Sequence, residues 1–265
     1  MLATERLNAT VTGPAGAPVL VFAHGFGCDQ NMWRLVAPVF ESDFRVVLYD
    51  HVGAGGSDVA SYDPQTYSRL SGYAADVIDL VEELDAGPVT FVGHSVATMI
   101  GVLAEIERPD LFDRLVLVGP SARYIDEGDY IGGFSASDID ELLESMDSNY
   151  LGWSHSMAPA FMGNPDEPDL VTELEESFCR ADPTIARQFA EVTFRSDNRA
   201  DLPKVSTPAL VLQSRHDAIA PMTAGEYVRD HLPQASYVVL DAVGHCPQLS
   251  APGPTIDAIG GFLRS

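Results

Sequence analysis

The stretch Val89-Thr90-Phe91-Val92-Gly93-His94-Ser95-Val96-Ala97-Thr98-Met99 decides how this chain is read. A short β-branched and aromatic run, of the kind that fits a strand, ends in Gly-His-Ser, and a helical pattern starts at once. A strand that turns straight into a helix holds the residue at the turn on a strained backbone with its side chain presented, the layout of a nucleophile elbow. Gly93 leaves room for the sharp turn because it has no Cβ. Ser95 then stands at a helix N-terminus, where free N–H groups and the helix dipole favour negative charge. A serine so placed can attack a carbonyl and find donors for the resulting oxyanion. The elbow pattern is G-x-S-x-G, and here the small Ala97 takes the place of the last glycine. Gly-x-Ser also occurs in plain turns, so the reading depends on the rest of the chain.

A base and an orienting acid are needed downstream. Ala209-Leu210-Val211-Leu212-Gln213 leads into Ser214-Arg215-His216-Asp217, which puts Asp217 in a loop past a strand end. Tyr237-Val238-Val239-Leu240 leads into Asp241-Ala242-Val243-Gly244-His245-Cys246-Pro247, which does the same for His245, with Asp241 as the alternative acid. The order Ser95, Asp217, His245 is the one α/β-hydrolases use, and it differs from those of chymotrypsin and subtilisin. Open α/β sheets place their sites at the C-terminal ends of strands, where all three residues fall. Neutral His245 would take the Ser95 proton and return it to the leaving group, and Asp217 would hold the correct tautomer. Val19-Leu20-Val21-Phe22-Ala23 reads as another strand, ending in His24-Gly25-Phe26-Gly27. The amides of Phe26 and Val96 are the expected oxyanion donors. His24 and His94 are read as bracing these turns, and Cys246 as packing.

Composition bounds the alternatives. The 265 residues carry 39 acids against 15 Lys and Arg, a formal charge of −24, which disfavours nucleic acid and anionic lipid as partners. No apolar run approaches membrane-spanning length, and the N-terminus lacks the pattern of a signal peptide. Three scattered cysteines give neither a disulfide framework nor a zinc site, and no calcium loop is visible. The expectation is a cytoplasmic protein with no cofactor and no metal.

Strand runs alternate with helical spacing, as in Arg45–Asp50, in 67–84 (Leu70, Ala74, Val77, Ile78, Val81, Leu84) and in Leu115–Gly119. That alternation predicts an α/β fold, a mostly parallel sheet covered by helices. From Pro120 to about Arg199 the strand signal disappears. Gly and Pro punctuation there divides four helices at about 135–147, 149–162, 168–180 and 183–195. The expected organisation is a core of residues 1–119 and 200–265 with an inserted four-helix lid, 120–199. The lid would cover Ser95, and Phe26, Phe134, Trp153, Phe161, Phe189, Phe194 and Ile219 are the candidate pocket residues. An apolar, enclosed pocket selects a small neutral ester or lactone. Leu142 and Met146 are read as a candidate partner surface on the first lid helix, with packing inside the lid as the alternative.

His24-Gly25-Phe26-Gly27-Cys28-Asp29-Gln30, Asp50-His51-Val52-Gly53, Gly93-His94-Ser95-Val96 and Gly244-His245-Cys246-Pro247 together resemble the RsbQ-type α/β-hydrolases. These are bacterial stress regulators related to the plant strigolactone and karrikin receptors. Tyr150-Leu151-Gly152-Trp153, Phe178-Cys179-Arg180-Ala181-Asp182-Pro183 and Ala186-Arg187-Gln188-Phe189-Ala190 extend the resemblance into the lid. It implies a serine hydrolase working through an acyl-enzyme. It also implies an alternative, a slow-turnover small-molecule receptor partnered by a PP2C-type phosphatase with a PAS sensor domain. A general short-chain carboxylesterase is a third reading. Haloalkane dehalogenation is disfavoured, because that variant needs Asp where this chain has Ser95.

Overall fold

In a computed structural model, residues 1–264 are described. Seven strands, β1 (Thr10–Thr12), β2 (Val19–Ala23), β3 (Arg45–Tyr49), β4 (Val89–His94), β5 (Phe112–Val118), β6 (Ala209–His216) and β7 (Ala235–Val243), form one sheet. Their order is β1-β3-β2-β4-β5-β6-β7. Only β1, three residues at the edge, runs antiparallel, so the sheet is α/β and mostly parallel as expected. Central β2 and β4 are buried at every position, which is why they read as unbroken apolar runs rather than alternating ones.

The helices are α1 (Ala3–Arg6), α2 (Leu70–Leu84), α3 (Val96–Glu107), α4 (Ala136–Ser148), α5 (Tyr150–Met162), α6 (Pro168–Arg180), α7 (Pro183–Phe194), α8 (Met222–His231), α9 (Pro247–Ser250) and α10 (Pro252–Leu263). Helical spacing from Tyr67 predicts one continuous element, yet α2 starts at Leu70, and Tyr67 sits in a separate 3-10 turn with non-helical backbone. Buried Glu105 of α3 accepts from the amides and hydroxyls of Ser206 and Thr207, tying that helix to the approach to β6.

Register places the site. Ala23 pairs with Gly93, His94 with Val118, and Val118 with Leu212. Strands β2, β4 and β5 therefore end in a row, β6 runs on from Leu212 to His216 beside β7, and the loops that follow open on one edge of the sheet.

The four helices between β5 and β6 start where their chemistry allows. Ser135 and Asp138 form a capping box for α4. Asn149 accepts from the Gly152 amide at the start of α5. Pro168 begins α6, and Asp182 accepts from Thr184 and Ile185 ahead of α7. On α4 the structure corrects one expectation. Leu142 and Met146 are not a partner surface: they are buried with Ile139 and Leu143. These positions follow the i, i+3, i+4, i+7 spacing of a single inward face, and Asp140, Glu141, Glu144 and Asp147 cover the outside. Among the described residues no helix is long and apolar enough to cross a membrane.

Candidate active site

Ser95 lies between β4 and α3 with φ +56° and ψ −125°. An L-residue held there stores on the order of 1–3 kcal/mol, which the surrounding sheet and helix must offset. Two contacts help. The Ser95 amide continues the sheet ladder to the Val118 carbonyl (2.9 Å), and the Ser95 carbonyl accepts from the Thr98 hydroxyl (2.6 Å).

Three residues distant in sequence meet at this turn. His245 Nε2 lies 2.7 Å from Ser95 Oγ, and His245 Nδ1 lies 2.7 Å from Asp217 Oδ2. The other Asp217 oxygen accepts from the amides of Ile219 (2.8 Å) and Ala220 (3.0 Å), which fixes the carboxylate. Both side chains of the His245–Asp217 pair are withdrawn from solvent. The continuous hydrogen-bonded path from hydroxyl through imidazole to carboxylate can move a proton off the serine and hold the resulting imidazolium. Asp241, the alternative acid, is exposed and paired with Arg215, away from this path.

The loop after β2 closes the other side. A Cβ on Gly25 would lie 2.6 Å from His94 Nδ1 and 3.1 Å from Ser95 Cβ, so only glycine permits this approach. The loop is braced from behind: the His51 amide donates to His24 Nε2 (3.0 Å), and His51 Nε2 meets the His24 carbonyl (3.0 Å). Asp50 gathers Asn8, Gln30 and the Gly56 amide around the same turn. Among the described residues the Phe26 and Val96 amides donate to no backbone carbonyl, and Val96, first in its helix, has no intrahelical acceptor.

His94 packs beneath the elbow, its Nε2 2.7 Å from the His245 carbonyl. Burial drives His24, His51 and His94 below the ordinary imidazole range, so they are neutral braces. Burial pushes the Cys28 and Cys246 thiols up, away from the reactive thiolate form.

Above Ser95 the aromatic residues expected to line a pocket converge on Phe26. Its ring centroid lies 6.0 Å from Trp153, 5.8 Å from Phe189 and 6.0 Å from Phe194. Phe134 stacks edge-on against Phe194, and Phe161 against the His245 ring. Ile219 is buried and joins through its amide bond to Asp217. Sequence reasoning missed two members. Phe178 contacts Phe26, Trp153 and Phe161, and the Tyr124 hydroxyl lies 3.4 Å from Ser95 Oγ. Tyr124 follows β5 at the same sheet edge, and that position was the available signal.

Cavity size does not mark this site. A groove of about 890 Å³ lies elsewhere, between α7 and the starts of α2 and its neighbours, and Ser95, Asp217 and His245 are not among the residues that line it. Its Arg187 and Arg195 are neutralised by Asp147, Glu191 and Asp140. Beside Phe26 and Phe189 the open space is only about 30 Å³. Among the described residues no cluster of three or more His, Cys, Asp or Glu could hold a metal ion.

Residues 20–258 match the model of the alpha/beta hydrolase family. The chain belongs to this family. It is 40% identical to the strigolactone esterase D14 of Arabidopsis thaliana, over 98% of this chain and 96% of that one. It is 41% identical to the karrikin insensitive 2 receptor CA of Petunia hybrida, over 96% and 94%. Among solved structures, a hydrolase from Oleispira antarctica superposes with a TM-score of 0.96 at 38% identity, over 99% of this chain and 96% of the other. This α/β-hydrolase is thus similar along nearly its whole length both to an esterase and to a protein named as a receptor.

Proposed function

We propose that this α/β-hydrolase is a serine hydrolase that cleaves a small hydrophobic ester or lactone through an acyl-enzyme. The observation that carries the reading is the pair of 2.7 Å contacts linking Ser95, His245 and Asp217. Ser95 Oγ attacks the carbonyl carbon while its proton passes to His245 Nε2. The oxyanion is held by the Phe26 and Val96 amides, each such donor being worth about 10²–10³ in rate. The C–O bond of the ester then breaks, and His245 gives its proton to the departing alkoxide. Water, deprotonated by His245, releases the acid and restores Ser95. Asp217 holds the imidazole tautomer throughout.

The helices α4 to α7 act as a lid over residues of the core, 1–119 and 200–265. The aromatic cluster around Phe26 admits a small apolar acyl compound and excludes polymers. Among the described residues the buried Trp153 indole N–H has no acceptor, and it offers the pocket one polar contact. Labelling with a fluorophosphonate followed by peptide mapping tests the reading, with one adduct on Ser95 expected and labelling at any other residue sinking it.

The receptor similarity supports a second reading, in which turnover is slow and the ligand-bound lid signals. The finer form of that reading is an RsbQ-type stress regulator in the cytoplasm, partnered by a PP2C-type phosphatase with a PAS sensor domain. Unpaired Cys28, Cys179 and Cys246 suit a reducing compartment. Capture of such a phosphatase, together with turnover far below that of short-chain esterases, would favour it over a general carboxylesterase.

A further inference from the structure

The loop carrying His245 is gripped from two sides. On the core side the Gly244 amide donates to the His216 carbonyl (2.7 Å), one residue before Asp217. On the other side the loop meets the last turn of α5. The His245 amide donates to the Phe161 carbonyl (2.8 Å). Asn164 Nδ2 donates both to the Met162 carbonyl (2.7 Å) and to the Val243 carbonyl (2.8 Å). The backbones touch: a Cβ on Gly244, at φ +91°, would overlap the Met162 carbonyl.

These contacts have a physical cause. Carbonyls in the last turn of a helix lack intrahelical donors and must find others. The Phe161 and Met162 carbonyls find theirs in the His245 amide and the Asn164 side chain, so the histidine loop caps α5. Gly163 turns the chain out of the helix at φ +66°, which brings Asn164 back over the junction. One turn earlier, Pro159 has no N–H to give, so the helix is held less firmly there than at its end. Among the described residues the other side-chain donor to the Val243 carbonyl is the Ser250 hydroxyl, at a longer 3.3 Å. Next to α5, Ser177 of α6 donates to the Gly27 carbonyl (2.8 Å) and Arg180 pairs with Asp29 (2.9 Å), so the same helical layer also holds the loop of Phe26.

We propose that Asn164 is a positioning residue for His245, pinning the end of α5 to the strand that leads into the histidine, so that the Ser95–His245 contact depends on α5 being seated. The inference rests on the serine-hydrolase reading. Asn164 touches neither substrate nor reacting atoms and acts through the backbone of residues 243–245.

Asn164→Asp tests it, because the side chain keeps its shape and loses both donors. With p-nitrophenyl acetate as probe, kcat should fall by about 10–100-fold, the scale of a misplacement near 1 Å at a reacting pair. KM should stay within about twofold, since the aromatic pocket is unchanged. Hydrogen exchange at the Gly244 and His245 amides should quicken while the sheet amides of β4 and β5 keep their protection. Asn164→Ala serves as the second variant and should behave alike. Unchanged kcat with unchanged exchange in a labelled, active wild type would overturn the proposal. So would a loss carried by KM, or one that appears only because both variants melt near the assay temperature. Wild-type protein that takes no fluorophosphonate at Ser95 would instead overturn the serine-hydrolase reading, an outcome distinct from failure of the Asn164 variants.

Discussion

His245 and the trio of His24, His51 and His94 are all buried, yet they differ in what their ring nitrogens meet. His245 joins a hydroxyl to a carboxylate. The other three meet backbone: His24 the Gly25 carbonyl and the His51 amide, His51 the His24 carbonyl, and His94 the carbonyl of His245 itself. Asp50 stands 4.0 Å from His24, beyond hydrogen-bond reach. Burial with backbone partners holds an imidazole neutral and turns it into a brace. A carboxylate on one side and a nucleophile on the other turn it into a base. The partners decide the role, and burial does not.

The largest expected effect breaks the His245 side of this comparison. Ser95→Ala and His245→Ala should each lose roughly 10⁴–10⁶ in kcat, and the double variant hardly more, because triad members act as a unit. Esterase assays of the three proteins check this, and losses that multiply would show two independent mechanisms. Asp217→Asn should cost on the order of 10⁴ through the wrong tautomer, while Asp241→Asn, at an exposed site, should leave the rate unaltered. If Asp241→Asn proved the damaging change, the assignment of the acid would be reversed.

On the brace side the effect should appear in stability first. His51→Ala leaves a cavity among Tyr49, Tyr73 and Phe189 and removes the Nε2 contact with the His24 carbonyl, while the residue-51 amide still donates to His24. We expect roughly 3 kcal/mol lost in denaturant unfolding, with kcat reduced by less than about 10² through the loosened oxyanion loop. A change in rate without a change in stability would make His51 something other than a brace.

Titration sharpens the contrast. The three braces have folded values below their ordinary 6.5, so below that pH the unfolded chain binds more protons. Stability should then fall on acidification by up to about 1.4 kcal/mol per pH unit for each imidazole. Asp76 works in the opposite sense. Burial raises it to about 6 despite its ion pair with Arg6, so the folded chain holds the extra proton and stability falls as pH rises from about 4 to 6. Asp76→Asn should gain on the wild type across that window by no more than about 3 kcal/mol, offset in part by the pairing Arg6 loses. Melting temperatures of both proteins from pH 4 to 7 check it, and parallel curves would remove Asp76 as the cause.

Much of the architecture was legible because it is written in local patterns. The run into Gly93-His94-Ser95 predicts a strand, a strained turn and a helix, and all three form in that order. The four helices of 120–199 begin within a residue or two of where Gly, Pro, Ser, Asn and Asp mark them. Edge strand β1 is not legible in the sequence because its three residues, two of them exposed, are too few to carry a periodicity. For Leu142 and Met146 the packing alternative holds, because their spacing with Ile139 and Leu143 makes one inward face.

By itself, then, the sequence determined the order Ser95, Asp217, His245, the strand ends on which they stand and the helical insertion between β5 and β6. Each of these depends on neighbours within a few residues, where backbone sterics and hydrophobic period leave few choices. Only the tertiary structure decided that Tyr124 faces Ser95, that Phe178 completes the ring around Phe26, that His94 supports the carbonyl of His245, and that Asn164 bridges α5 to Val243. Those contacts join residues from about 30 to 150 positions apart. They are set by how the strands register and how the helices seat, which a one-dimensional pattern does not carry.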